Sequence, residues 1–287
     1  MQIVSDRGMD MLPEQMAGLD IHLVPLTLTL DGKTYRSGVD IQPDEFYRLL
    51  MSTESFPTTS QPSAGDLAEL YRKLAADDPD ILSIHISSGL SGTVNAARAG
   101  AEMVPEARVT IVDTKTLSGA EGWQVEAAAR AAQAGWPKER IVALLESISS
   151  VTDTIYTLAT LRYLIHGGRI NHIKGLLAQV LNIKPLIGVE KVHGTYVQHG
   201  QARTLDKAIL KIADYVREHF APGTEMRFQL LHGHNAEGAA LLHRRLEELF
   251  KCTFLPTGPI APVLGAHTGP GLVGLVFAPM SAFPEMP

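Results

Sequence analysis

Residues 81–97 constrain this chain most. An apolar run, Ile81-Leu82-Ser83-Ile84-His85-Ile86, stops in Ser87-Ser88-Gly89-Leu90-Ser91-Gly92-Thr93, and Val94-Asn95-Ala96-Ala97 then reads as the opening of a helix. A strand that passes through a small, hydroxyl-rich loop into a helix aims unpaired backbone N–H groups outward. Serine and threonine add donors without bulk, and the two glycines allow a ligand close to the backbone. Such a loop suits an anion held without lysine or arginine. It also suits a plain helix start with Ser91 as its cap. The loop alone does not choose between the two.

The chain on either side alternates strand and helix. Ile3-Val4-Ser5-Asp6 is a short strand with an acidic end, and residues 9–16 read as a short helix with Asp10 near its start. Residues 22–30 are extended, and Asp31-Gly32 turns the chain before Lys33-Thr34-Tyr35. A helix over 43–51 follows, with Pro43 early and Asp44-Glu45 in its first turn. Phe56-Pro57-Thr58-Thr59-Ser60-Gln61-Pro62-Ser63 reads as a polar loop stiffened by two prolines, with Ser63 capping a helix over 64–76. Val109-Thr110-Ile111-Val112-Asp113 is another buried strand, followed by helices over 118–134 and 138–149. This order predicts a mostly parallel sheet covered on both faces. Ligands of such sheets lie beyond the carboxyl ends of the strands. Asp6, the Thr59 loop and the Ser91 loop all fall there.

The fold class expected is two-domain α/β, with an α/β domain over 1–152 and an α+β domain over 153–287. In the second part, His166-Gly167-Gly168-Arg169-Ile170 leads to an apolar helix over 175–181. A hairpin turns at His193-Gly194, followed by a helix over 204–219, a strand over 226–232 and a helix over 236–249. Residues 252–283 carry no Asp, Glu, Lys or Arg. Prolines at 256, 259, 262, 270 and 279 rule out one spanning helix, since each costs about 3 kcal/mol in a helix interior. Buried strands and turns are expected there, with Gly265-Ala266-His267-Thr268-Gly269-Pro270-Gly271 a loop able to present His267 to a crevice.

A net charge of −6 without a basic face argues against nucleic acid. The single cysteine, Cys252, excludes an internal disulfide and a cysteine-based zinc cluster, and fits a cytoplasmic setting. The first residues lack the basic start and apolar core of a secretion signal. Gly89-Leu90-Ser91-Gly92-Thr93 resembles a nucleophile elbow except for its last position, so Ser91 as nucleophile of an acyl hydrolase or transferase is the rival reading. Gly269-Pro270-Gly271-Leu272-Val273-Gly274 matches a dinucleotide fingerprint but precedes a strand. His232 and His234 lack an obvious third metal ligand. No metal or cofactor is expected.

Taken in order, several motifs resemble the DegV family. They are Thr59-Ser60-Gln61-Pro62-Ser63, the 87–93 loop, Val112-Asp113-Thr114, Gly167-Gly168-Arg169-Ile170, Leu181-Asn182-Ile183-Lys184-Pro185, Arg203-Thr204 and the glycine-flanked His267 segment. Two departures are Arg7-Gly8 where the family usually has Ser-Thr after the aspartate, and Ser37-Gly38 where an acidic residue is common. The resemblance implies two α/β domains enclosing one long-chain fatty acid. It implies a carboxylate held by the hydroxyls of Thr59 and Ser91, with help around Ser60, Gly92 and Thr93, and with Arg169 and His267 near the head group. It further implies a non-catalytic carrier, serving phospholipid precursor metabolism, that presents its ligand to an ATP-dependent fatty acid kinase near Arg203.

Overall fold

The computed structural model of the chain describes residues 1–170, 173 and 183–283. The helix expected over 175–181, and Leu181-Asn182 of its motif, lie outside the described residues.

Residues 2–113 supply the strands β1 (Gln2–Asp6), β2 (Ile21–Val24), β3 (Thr27–Leu30), β4 (Lys33–Arg36), β5 (Thr58–Ser60), β6 (Asp80–His85) and β7 (Arg108–Asp113). Four of them form a wholly parallel sheet in the order β2-β1-β6-β7. Its two faces alternate along each strand, as a pleated ribbon requires. Val4 and Ile81 pack under the helices α3 (Ala64–Ala75) and α4 (Thr93–Glu102). Ile3, Leu82 and Ile84 pack under α5 (Ser118–Gln133) and α6 (Lys138–Val151). Ser63 caps α3 by accepting from the Asp66 amide, in a capping box that Asp66 completes.

The other three strands form a small antiparallel sheet, β4-β3-β5. Asp31 and Gly32 turn β3 into β4 with φ values of 49° and 75°. The polar loop expected at 56–63 is here partly a strand: Thr59 lies opposite Leu28 in the β3–β5 register. The alternating hydroxyls gave no apolar pattern from which a strand could be read.

Residues 153–279 build a seven-stranded mixed sheet from β8 (Asp153–Thr157), β9 (Lys184–Val189), β10 (Tyr196–Ala202), β11 (Glu225–His232), β12 (Lys251–Phe254), β13 (Gly258–Pro259) and β14 (Val273–Pro279). The order is β10-β9-β8-β14-β11-β12, with β13 paired to β11. Ile155, Leu230 and Leu275 face the helices α8 (Leu205–His219) and α9 (Ala236–Glu247). Their neighbours Tyr156, Leu231 and Val276 face a separate core shared with Leu117, Ala120 and Trp123.

That sharing explains α5. Its Ala120 and Trp123 belong to the core under the mixed sheet, while Val125, Ala128 and Ala129 belong to the core under the parallel sheet. Residues 118–129 of this helix are all buried, Glu121, Gln124 and Glu126 among them, so it is covered on all sides. Small residues bring it close: a Cβ at Gly119 would stand 3.1 Å from Val276 of β14. Trp123 Nε1 donates to Gln229 Oε1 of β11 at 2.7 Å, a bond between the two parts.

Two local expectations change. The helix expected over 9–16 is only α1 (Pro13–Met16), because Met9 and Met11 are drawn into the core beneath α5. The loop expected around His267 is instead the helix α10 (Pro262–Thr268), started by Pro262 and ended by Gly269 at φ 69°. Glycine and proline bounded a helix there, where the sequence suggested strands and turns. Among the described residues no helix is long and apolar enough to cross a membrane.

Candidate ligand-binding site

At the end of β1, Asp6 is wholly buried and anchors two loops. Its carboxylate accepts from the amides of Gly8 at 2.8 Å and Ile86 at 3.1 Å, and meets His85 Nδ1 at 3.0 Å. His85 Nε2 continues to Ser83 Oγ at 2.7 Å, and Ser83 to the Tyr71 hydroxyl at 2.8 Å. This buried chain fixes where β6 releases the 87–93 loop.

Within that loop the three serines divide their work. Ser87 Oγ donates to the Gly194 carbonyl at 2.8 Å, tying the loop to the turn after β9. Gly89 allows the same approach, since a Cβ there would stand 2.5 Å from the His193 carbonyl. Ser88 is bonded to Asp113, which also holds Lys115 at 2.8 Å. Among the described residues the Ser91 hydroxyl meets only Thr93: the two hydroxyls lie 2.8 Å apart and the Thr93 amide donates to Ser91 Oγ at 3.3 Å. Gly92 occupies the N-cap of α4, so Ser91 is not that helix's cap.

Thr59 approaches from β5. Its hydroxyl meets His267 Nε2 at 2.7 Å, across 208 residues of sequence. His267 sits in the last turn of α10, 9% exposed, with Nδ1 unpartnered and closed off by Gly167. A Cβ on Gly167 would lie 2.1 Å from that Nδ1. Burial, helped by the nearby charge of Arg169, pushes the imidazole down to about 4, so it is neutral at physiological pH. Arg169 itself donates through Nη1 to the Gly167 carbonyl. Phe56, just before β5, stacks on His166 of α7 (Arg162–His166) with centroids 4.5 Å apart, and clamps the strand to that helix.

The structure therefore brings Thr59, His267 and Arg169 together. The two hydroxyl-bearing segments meet through Gln61, whose side chain stands 2.6 Å from where a Gly92 Cβ would be. Ser60 is exposed on β5, and Thr93 is buried at the start of α4. Arg203 lies elsewhere, exposed in the bend before α8 and without an ion pair among the described residues. Gly167 and Gln61 were missed in the sequence because contact, not residue type, gives them their role. His232 and Asn235 form a strand-end cap, with Asn235 Oδ1 accepting from the Gly238 amide at 2.9 Å. No metal-binding group occurs among the described residues.

An apolar cavity adjoins this cluster. It leaves about 30 Å³ for a water-sized body, within roughly 390 Å³ between atoms that includes open solvent, and is lined by Leu117, Ser118, Tyr156, Leu231, Leu264, Thr268 and Val276, among others. Leu264 and Thr268 flank His267 on α10, so one helix carries both the imidazole and part of the apolar wall.

The sequence model of the DegV family matches residues 1–280. The chain belongs to the DegV family. A DegV domain-containing protein of Deinococcus radiodurans is 35% identical over 284 residues, covering 98% of this chain and 99% of its own. A DegV family protein from Thermus thermophilus, described for its fatty acid binding, superposes with a TM-score of 0.88 at 31% identity, covering 97% of this chain and 99% of that one. DegV from Bacillus subtilis, described as a fatty acid binding protein, gives 0.87 at 27% identity, covering 97% and 98%. The mixed α/β fold is shared with both.

Proposed function

We propose that this DegV protein binds one long-chain fatty acid and presents its carboxylate to a separate ATP-dependent kinase, which forms an acyl phosphate. The observation that carries the reading is the Thr59–His267 pair at the edge of an apolar cavity. The fatty-acid-binding descriptions of the Thermus and Bacillus relatives support the same ligand class.

The chemistry follows from the tautomer. With Nδ1 sealed by Gly167, a proton there would be an orphaned buried donor, so the proton belongs on Nε2. Nε2–H then donates to Thr59 Oγ1, and the Thr59 O–H is free to donate to a carboxylate. Ser91 Oγ and Thr93, next to Gln61, offer a second set of neutral donors, with Ser60 and Gly92 at the rim. A carboxylate held by neutral donors stays nucleophilic toward a phosphoryl group, whereas a bidentate arginine pair would bind its charge tightly. Arg169, committed to the Gly167 carbonyl, stands back from that role. The tail supplies affinity: about 0.8 kcal/mol per methylene gives on the order of 10 kcal/mol for roughly 15 carbons, before ordering costs.

Ser91 as nucleophile finds less support, because its hydroxyl partners are Thr93 atoms, with no imidazole or carboxylate bonded to it among the described residues. The setting proposed is the cytoplasm, with no cofactor, and the exposed Arg203 region is the surface offered to the kinase. Organic extraction of the purified protein with mass spectrometry tests the ligand. Stoichiometric long-chain fatty acid, lost in Thr59→Val and Ser91→Ala, is expected, with acyl phosphate formed only when kinase and ATP are added. Kinase-free turnover of acyl esters, or protein free of lipid that takes up none, would overturn the reading.

A further inference from the structure

A second cleft lies outside the site described above. It opens between the β1–α1 segment and the start of α10, with about 880 Å³ of empty space including its mouth. Its wall is mainly apolar, from Met9, Met11, Leu12, Met16 and Leu23, with prolines at the rim. Arg7 is the cation in this wall. Among the described residues its side chain has no hydrogen bond or ion pair, and Nε is buried without a partner. Gly38, at φ 69°, lets the guanidinium in: a Cβ there would stand 3.0 Å from Arg7 Nη1.

The acids nearby are already committed. Asp6 is occupied by the Gly8 and Ile86 amides and by His85. Asp10, which also lines the cleft, accepts from the Ala261 amide at 2.7 Å and from Ser118, and burial pushes it up to about 7. Burial alone lowers Arg7, and no carboxylate offsets it. A partly desolvated cation lacking a counter-ion is an incomplete ion pair. The missing member is an anion, and the methionine and leucine wall asks for an apolar body attached to it.

We infer that this cleft binds a small amphiphilic anion, its carboxylate or phosphate head on Arg7 and its short apolar body along Met9, Met11, Met16 and Leu23. The site is separate from the cavity beside His267, with Asp10 and Ser118 forming the partition: Asp10 faces the cleft and Ser118 the inner cavity. Methionine suits such a wall, since its unbranched thioether adapts to varied apolar shapes. The inference does not depend on the fatty-acid reading, because no residue of the Thr59–His267 cluster lines the cleft.

The test is a titration of the full chain carrying ¹³C-methyl methionine, with hexanoate, hexyl phosphate and the neutral hexanol as probes. Saturable shifts of the Met9, Met11 and Met16 methyls with at least one anion are expected. Binding should weaken about 10-fold or more in Arg7→Gln, the scale of losing a charge-assisted bond, and weaken as salt rises. Response to hexyl phosphate alone assigns a phosphate head, and response to hexanoate alone, or to both anions, places a carboxylate within its range. Hexanol binding as tightly as the anions, anion binding unchanged in Arg7→Gln, or silent methyls at these positions would each overturn the inference.

Discussion

Replacing Gly167 by alanine isolates the contact on which the head-group geometry depends. The backbone there is ordinary right-handed, φ −70° and ψ −4°, so alanine meets no backbone strain. The new methyl would stand 2.1 Å from His267 Nδ1, and the ring must retreat by roughly 1 Å to reach a tolerable contact. A displacement of that size, in either direction, spoils the 2.7 Å length and the alignment of the Thr59–His267 bond. Thr59 then loses its oriented donor, and a buried hydrogen bond left unmade costs about 1–3 kcal/mol, or roughly 5- to 150-fold in affinity. Displacement of a fluorescent acyl probe measures this, alongside thermal denaturation. Gly168→Ala is the matched control. Its φ of 73° strains alanine, but nothing lies within 4 Å of the added carbon, so it should lower stability by about 1–2 kcal/mol and spare affinity. A folded Gly167→Ala protein that binds within about twofold of the parent would refute the role given to this pair.

Gly274 lines the apolar cavity, so Gly274→Leu should fill it, costing about 0.8 kcal/mol for each methylene excluded and shifting the extracted lipids toward shorter chains; gas chromatography of the extract reads this. His267 takes no proton until about pH 4 when folded, against 6.5 ordinarily. Its contribution is thus complete above 6.5 and lost as pH falls, by about 1.4 kcal/mol per unit. His267→Gln should remove that slope, seen as a parent-minus-variant stability difference that shrinks or reverses between pH 6.5 and 4 in urea melts. Asp10 has the opposite sign: raised to about 7, its contribution is complete below its ordinary 3.8 and lost as pH rises toward 7. Asp10→Asn can keep an acceptor for Ala261 and offer a donor to Ser118, so its stability relative to the parent should increase from pH 4 to about pH 7 and level off above it.

Regular elements were legible wherever one rule decided them. The 81–97 strand, loop and helix, the Asp31-Gly32 turn, the Ser63 cap and the hairpin at Gly194 all follow from local chemistry. Tertiary partners were not legible. Thr58–Ser60 is a strand because β3 offers an unpaired edge, which no property of Thr-Thr-Ser announces. His267 is helical because Pro262 starts α10 and Leu264 and Ala266 find a core there, although its glycines suggested a loop. The candidate residues themselves could be read from motif order, but not their division of labour. Ser87 and Ser88 look as available as Ser91 in the sequence; only the Gly194 carbonyl and Asp113 show them to be braces.

The central position of α5 has a consequence for how the molecule comes apart. Its Trp123 reports on the mixed sheet through Gln229, while Ala128, little more than a turn away, rests on the parallel one. Loosening either sheet strips that helix of half its cover, so damage on one side is felt on the other. Heating or denaturant should therefore dismantle the chain in a single concerted event, with Trp123 fluorescence tracing the same curve as the loss of backbone signal.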